Sequence, residues 1–226
     1  MLVEPQDDPE RLTLERAIID AVCARQAAGP RPRPDADAIA LRSLLTDLTS
    51  TQKAAVRAVL GRMEAGLGRP LMACGGVAQL LAADRWGPFA RPVADQGQAL
   101  ASARQGARVL VDIGQSPWWA KLLATPELRV IAALPDDAAA RPRALMISAE
   151  HSGPSGNDRT FWVTDSAASN LEIIDTLSRS GLAGEILSSC GGLKLFVLNG
   201  YVQAEDVRLI DTPGSLSGII GSAPVY

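Results

Sequence analysis

From Arg69 onward, apolar runs of strand length alternate with stretches of helical periodicity, and this alternation limits the possible folds more than any other feature of the chain. The runs are Pro70–Cys74, Arg91–Ala94, Arg108–Ile113 and Arg129–Leu134; Val77–Trp86, Gln98–Gln105 and Trp118–Leu123 carry the helical patterns between them. Strands apolar at every position, such as Val109-Leu110-Val111, have no solvent face and need cover on both sides. The βαβα order therefore predicts a small, mainly parallel α/β domain over residues 69–150, closed by a further strand at Ala144–Ala149.

The flanking segments read differently. Residues 1–68 are expected to be helical, opening at Asp7-Asp8-Pro9 and broken by Gly29-Pro30-Arg31-Pro32-Arg33-Pro34, where prolines cannot donate intrahelical bonds. A third helix begins with a capping box, Thr49 and Gln52. After the glycine- and serine-rich stretch Ser152–Asp158, residues 157–226 give strand, helix, strand, strand, helix, strand. Cys190-Gly191-Gly192 forms the hairpin turn and Ser169 with Glu172 a second capping box. That βαββαβ order predicts a ferredoxin-like domain, so the whole is expected to combine α/β and α+β parts.

Composition narrows the chemistry. His151 is the one histidine and Cys23, Cys74 and Cys190 are far apart, which excludes multi-histidine metal sites and C-x-x-C chemistry. No metal and no cofactor is expected. Net charge is −1 over residues 1–68, +2 over 69–150 and −4 over 151–226, summing to −3 without a basic stripe, so nucleic acid is not an expected partner. The acidic N-terminus lacks a secretory pattern and no apolar run is bilayer-length, so a cytoplasmic protein without membrane contact is expected. A homodimer is expected because a four-stranded sheet and short amphipathic helices leave faces to cover.

Several positions are candidates for binding. Gly75 and Gly76, between a strand and a helix, could cradle an anion with free backbone N–H groups, or form a plain tight turn. Gln115 and Ser116 follow an apolar strand, where open α/β sheets bind ligands. His151 is read as a solvated loop residue. The helical arginines Arg16, Arg25, Arg42, Arg57 and Arg62 could hold carboxylates, but most are read as a solvated face.

The C-terminal segment resembles an ACT domain, the amino-acid-binding regulatory module of prephenate dehydratases. The likeness rests on Asp158-Arg159-Thr160-Phe161, Leu195-Phe196-Val197-Leu198-Asn199-Gly200-Tyr201 and Ile220-Gly221-Ser222-Ala223-Pro224-Val225-Tyr226. With the helical segment ahead of the α/β part, the order of parts is similar to bifunctional chorismate mutase–prephenate dehydratases of phenylalanine biosynthesis. The resemblance implies a mutase-like helical segment, a dehydratase-like lobe and an ACT domain. It maps the mutase's cationic site onto Arg25, with Arg42 or Lys53 as substitutes, and the dehydratase motif onto Arg143. It places an effector site at Asn170, Leu171, Ser188 and Ser189. Because most family site residues are replaced, it implies a relative with degenerate catalytic sites and a binding or regulatory role. The ligand would be chorismate, prephenate or an aromatic amino acid. A working chorismate mutase using Arg25, Arg42 and Lys53, and a residual dehydratase using Arg143 and Ser116, are the alternatives.

Overall fold

A computed structural model describes residues 8–29, 33–114 and 116–226. Three helices come first: α1 (Pro9–Ala28), α2 (Pro34–Leu44) and α3 (Ser50–Leu67). Their starts are set locally. Asp8 accepts from Glu10 N–H at 3.0 Å, and Thr49 with Gln52 closes a reciprocal capping box. Ala17, Ala21, Leu41, Leu45, Val56 and Leu60 form the core shared by the three helices, and Tyr226 packs against it.

The remaining elements are β1 (Leu71–Cys74), α4 (Gly76–Trp86), β2 (Arg91–Val93), α5 (Gln96–Arg104), β3 (Arg108–Asp112), β4 (Arg129–Leu134), β5 (Ala144–Ser148), β6 (Asp158–Thr164), α6 (Asn170–Arg179), β7 (Gly184–Cys190), β8 (Leu193–Asn199) and β9 (Ser217–Pro224). Among the described residues nine strands form one sheet, ordered β2-β1-β3-β5-β4-β9-β6-β8-β7, which curls strongly into a half-barrel.

This corrects the expected fold class. There is no small parallel α/β unit beside an independent ferredoxin-like ACT domain. Parallel pairing occurs at β1–β2, β1–β3 and β4–β9, while β5 runs antiparallel between β3 and β4. The connection from β4 to β5 carries no helix, so the chain turns back on itself and β5 enters in the opposite direction. The last four strands do not close on themselves, because β9 also bonds β4 at Val130↔Gly221. The helix expected over Ala204–Ile210 shrinks to a 3₁₀ turn at Val207–Leu209. Val207 and Ile210 there are 72% and 75% exposed.

Burial follows the pleat. Val109, Val111, Phe161, Val163, Leu195 and Val197 point into the curl, where they pack with Trp118, Trp119 and α5. Leu110 and Met146 point outward to α4, and Trp162 and Phe196 outward to α6. The curl brings β7 toward loops from the other end: Arg141 donates to the carbonyls of Ile186 and Leu187, and Ser188 Oγ donates to the Gly114 carbonyl at 3.4 Å.

Candidate site: a buried guanidinium cluster under the helical roof

Where α1–α3 and α4 meet the outer face of β3–β5, five arginines and four carboxylates are drawn into one cluster. Arg57 and Glu64 sit two turns apart on α3, hence on one face. Gly61, between them, has no side chain, and any Cβ there would strike the Arg85 carbonyl. The two helices therefore cross closely, and Arg85-Trp86 at the end of α4 is set beside Arg57 and Glu64.

Pairing within the cluster is nearly complete. Arg25 Nη2 donates to Asp37 at 2.6 Å, and Arg57 is in contact with Asp136. Arg108 grips Glu150 through two bonds, 2.9 and 2.7 Å, and also contacts Glu64; Arg69 adds an ion pair to Glu150 at 2.9 Å. The Arg57 guanidinium lies 4.5 Å over the Tyr226 ring, a cation–π contact. Arg85 is the exception. Among the described residues it has no carboxylate within ion-pair distance, and its Nη1, like Arg25 Nε and Arg57 Nε, is shielded from solvent without a hydrogen-bond partner.

The electrostatics follow from this burial. Desolvation, then the neighbouring Arg85 charge, press the Arg57 guanidinium down to about 9, so it remains cationic at neutral pH. Burial also lowers Arg85, against the pull of Tyr226, Glu64 and Asp37. Burial, followed by the charge of Asp37, raises the Tyr226 phenol to about 12, which keeps its proton available for donation. Burial lifts the Asp37 carboxyl above the ordinary range despite Arg25.

A cavity of about 60 Å³ lies within the cluster, lined by Asp37, Glu64, Arg85, Arg108, Asp136 and Tyr226 among others. A second, of about 150 Å³, shares Arg85, Leu134 and Asp136 with it and is walled partly by Leu81 and Pro135. Arg85 thus stands between two spaces, the inner one large enough for several waters or a small anionic group.

The residues singled out from sequence lie elsewhere. Arg25 belongs to the cluster but is held by Asp37, and Arg42 donates to Ser155 Oγ. Lys53 is half-buried on the first turn of α3, and Arg143 is exposed ahead of β5. The donors beyond Gly75 and Gly76 are satisfied internally: Val77 N–H and Ala78 N–H both bind the Asp112 carboxylate. Gln115 lies outside the described residues. Ser116 Oγ donates to Gln96 at 2.9 Å. Asn170 and Leu171 open α6, with Leu171 79% exposed, and Ser188 and Ser189 lie on β7. None of these lines either cavity. Arg57, one of the helical arginines that the sequence offers for holding carboxylates, pairs with Asp136, whereas nothing in the sequence reading singles out Arg85. Adjacent Val56 and Trp86, both apolar and buried, were the available hint.

Among the described residues no group of histidine, cysteine or carboxylate side chains could hold a metal, and no helix is long and apolar enough to cross a membrane. No family model and no curated protein matches the chain. A solved structure titled "GqqA- a novel type of quorum quenching acylases" matches with a TM-score of 0.47 and 14% identity, over 70% of this chain and 97% of that one. Its title names an acylase. The expected membership of the chorismate mutase–prephenate dehydratase family, and a place in phenylalanine biosynthesis, are corrected: no family model and no curated relative supports them. Arg25 is paired with Asp37, Arg42 donates to Ser155, and Arg143 and Ser116 border neither of the two cavities described above.

Proposed function

We propose that the protein binds a small molecule carrying one carboxylate, whose head enters the inner cavity against Arg85. The observation that carries this reading is the pairing pattern. Every other guanidinium of the cluster meets a carboxylate, while Arg85, in the wall of both cavities, has none. Enclosing a guanidinium that no carboxylate meets at ion-pair distance is costly, and an incoming carboxylate with two parallel N–H···O bonds would offset that cost. Tyr226, protonated up to about pH 12, can donate to the same anion. The outer cavity, with Leu81, Leu134 and Pro135 in its wall, suits a short apolar remainder. The chemistry these residues offer is recognition of an anionic head group.

Calorimetric titration with acetate, propionate, butyrate and pyruvate, against sodium chloride and glycine at equal ionic strength, tests the reading. Saturable binding is expected for the monocarboxylates, tighter for propionate than acetate, and weaker by about tenfold or more in Arg85→Met. No heat at millimolar ligand, or equal affinity in Arg85→Met, would overturn it.

A further inference from the structure

The outward face of α1 carries a feature that the cavity does not use. Ala17, Ala21 and Arg25 bury one side of this helix. On the opposite side Leu12 is 49% exposed and Ile19 61% exposed, with Cys23 exposed beside them. At 3.6 residues per turn these three fall within about 40° of one another, forming a straight apolar stripe. A shallow trough along it is lined by Leu12, Thr13, Glu15, Arg16, Ile19 and Asp20.

We propose that this stripe is the contact through which two copies of the chain associate, their α1 helices antiparallel about a two-fold axis level with residue 18. The charges identify the occupant as a second copy. Arg16 and Asp20 are exposed on the same edge of the stripe, symmetrically above and below that level. A two-fold there sets Arg16 opposite the partner's Asp20, and Asp20 opposite the partner's Arg16, on the same side of the seam. The same operation brings Ile19 beside the partner's Ile19 and Leu12 to the height of the partner's Cys23. An isologous contact needs such self-complementarity, and a different partner would not. One helix pair buries less than the roughly 1,200 Å² of a standard interface, so a micromolar dimer is expected.

Sedimentation equilibrium of the full chain between micromolar and hundred-micromolar concentration should show monomer and dimer. Ile19→Glu should weaken the dimer by about tenfold or more, since it places two carboxylates at the seam. Arg16→Asp should weaken it as well, and Arg16→Asp combined with Asp20→Arg should restore it, which a mere loss of folding could not do. Leu12→Cys should form a disulfide with the partner's Cys23 under mild oxidation, and the same protein with Cys23→Ser should not. A wild-type chain monomeric at the highest concentration overturns the proposal. So does a dimer indifferent to Ile19→Glu, or a double charge swap that fails to rescue.

Discussion

At the scale of single residues, the cluster separates guanidiniums held by carboxylates from one that is not, and Glu150 shows the cost of such pairing in pH terms. Burial works against the ionised Glu150, yet the bonds from Arg108 and the charges of Arg108 and Arg69 outweigh it, holding the carboxyl below its ordinary value. A depressed carboxyl means the unfolded chain binds more protons in acid, so stability falls as pH drops below about 4.5. Asp37, raised by its burial, runs the other way, so the informative quantity is the difference between wild type and a variant. In urea denaturation, Glu150→Gln is expected to lie furthest below wild type near pH 7, with the gap closing below about pH 4. A gap independent of pH would show that Glu150 contributes packing rather than charge. Little of this was legible in the sequence. Arg57 meets an aspartate 79 positions away and Arg108 a glutamate 42 positions away, and apolar periodicity does not register such partners.

Elements fared according to how local their causes are. The capping boxes at Thr49 and Ser169 need only residues three apart, and both are formed. The start of α4 shows the limit. Its N-cap, Gly75, has no side chain, and the cap comes instead from Asp112 at the end of β3. The glycine pair invited an anion, and the protein supplies its own. Gly75 also has φ +97°, and a Cβ there would collide with the Asp112 carboxylate. Asp112→Ala should therefore lose about 1–2 kcal/mol of stability, as lost N-caps do, measured by chemical denaturation. Asp112→Asn should lose less, because its amide oxygen still accepts. Inorganic phosphate should not stabilise the wild-type protein at this turn; if it did, Asp112 would have to be displaced. The 3₁₀ segment Trp118–Ala124 makes the complementary point. Its apolar spacing resembled a helix, but Trp118 and Trp119 are fully committed to the core inside the curl. Tertiary packing set the backbone there.

For the molecule as a whole, strand order was the part hidden from sequence, since central strands such as β3, β5, β6 and β8 are each apolar enough to pair with several others. The decisive joint is between β4 and β9, which share one register pair, Val130↔Gly221. Beside it lies a polar cleft of about 300 Å³, bordered by Arg129, His151, Tyr201 and Glu205. Gly221 has φ +140°, and a Cβ would press into the Val130 backbone, so no other residue fits without moving a strand. The β9 strand bulges here: β6 steps one residue, from Phe161 to Trp162, while β9 steps two, from Gly221 to Ile219. The core inside the curl crosses the joint, because Val109, Val130 and Leu145 pack in the same cluster as Phe161, Val163 and Leu195. Gly221→Ala should consequently cost about 3 kcal/mol or more, from both the strained φ and the clash. Its effect should be to lower the midpoint of one transition for the whole sheet. Tryptophan fluorescence, which samples Trp118 and Trp119 within the curl and Trp162 under α6, should then coincide with far-ultraviolet circular dichroism in both proteins. If the variant instead unfolded in two steps, the strands on either side of Gly221 would be separate cooperative units, and the shared core would be too weak to couple them.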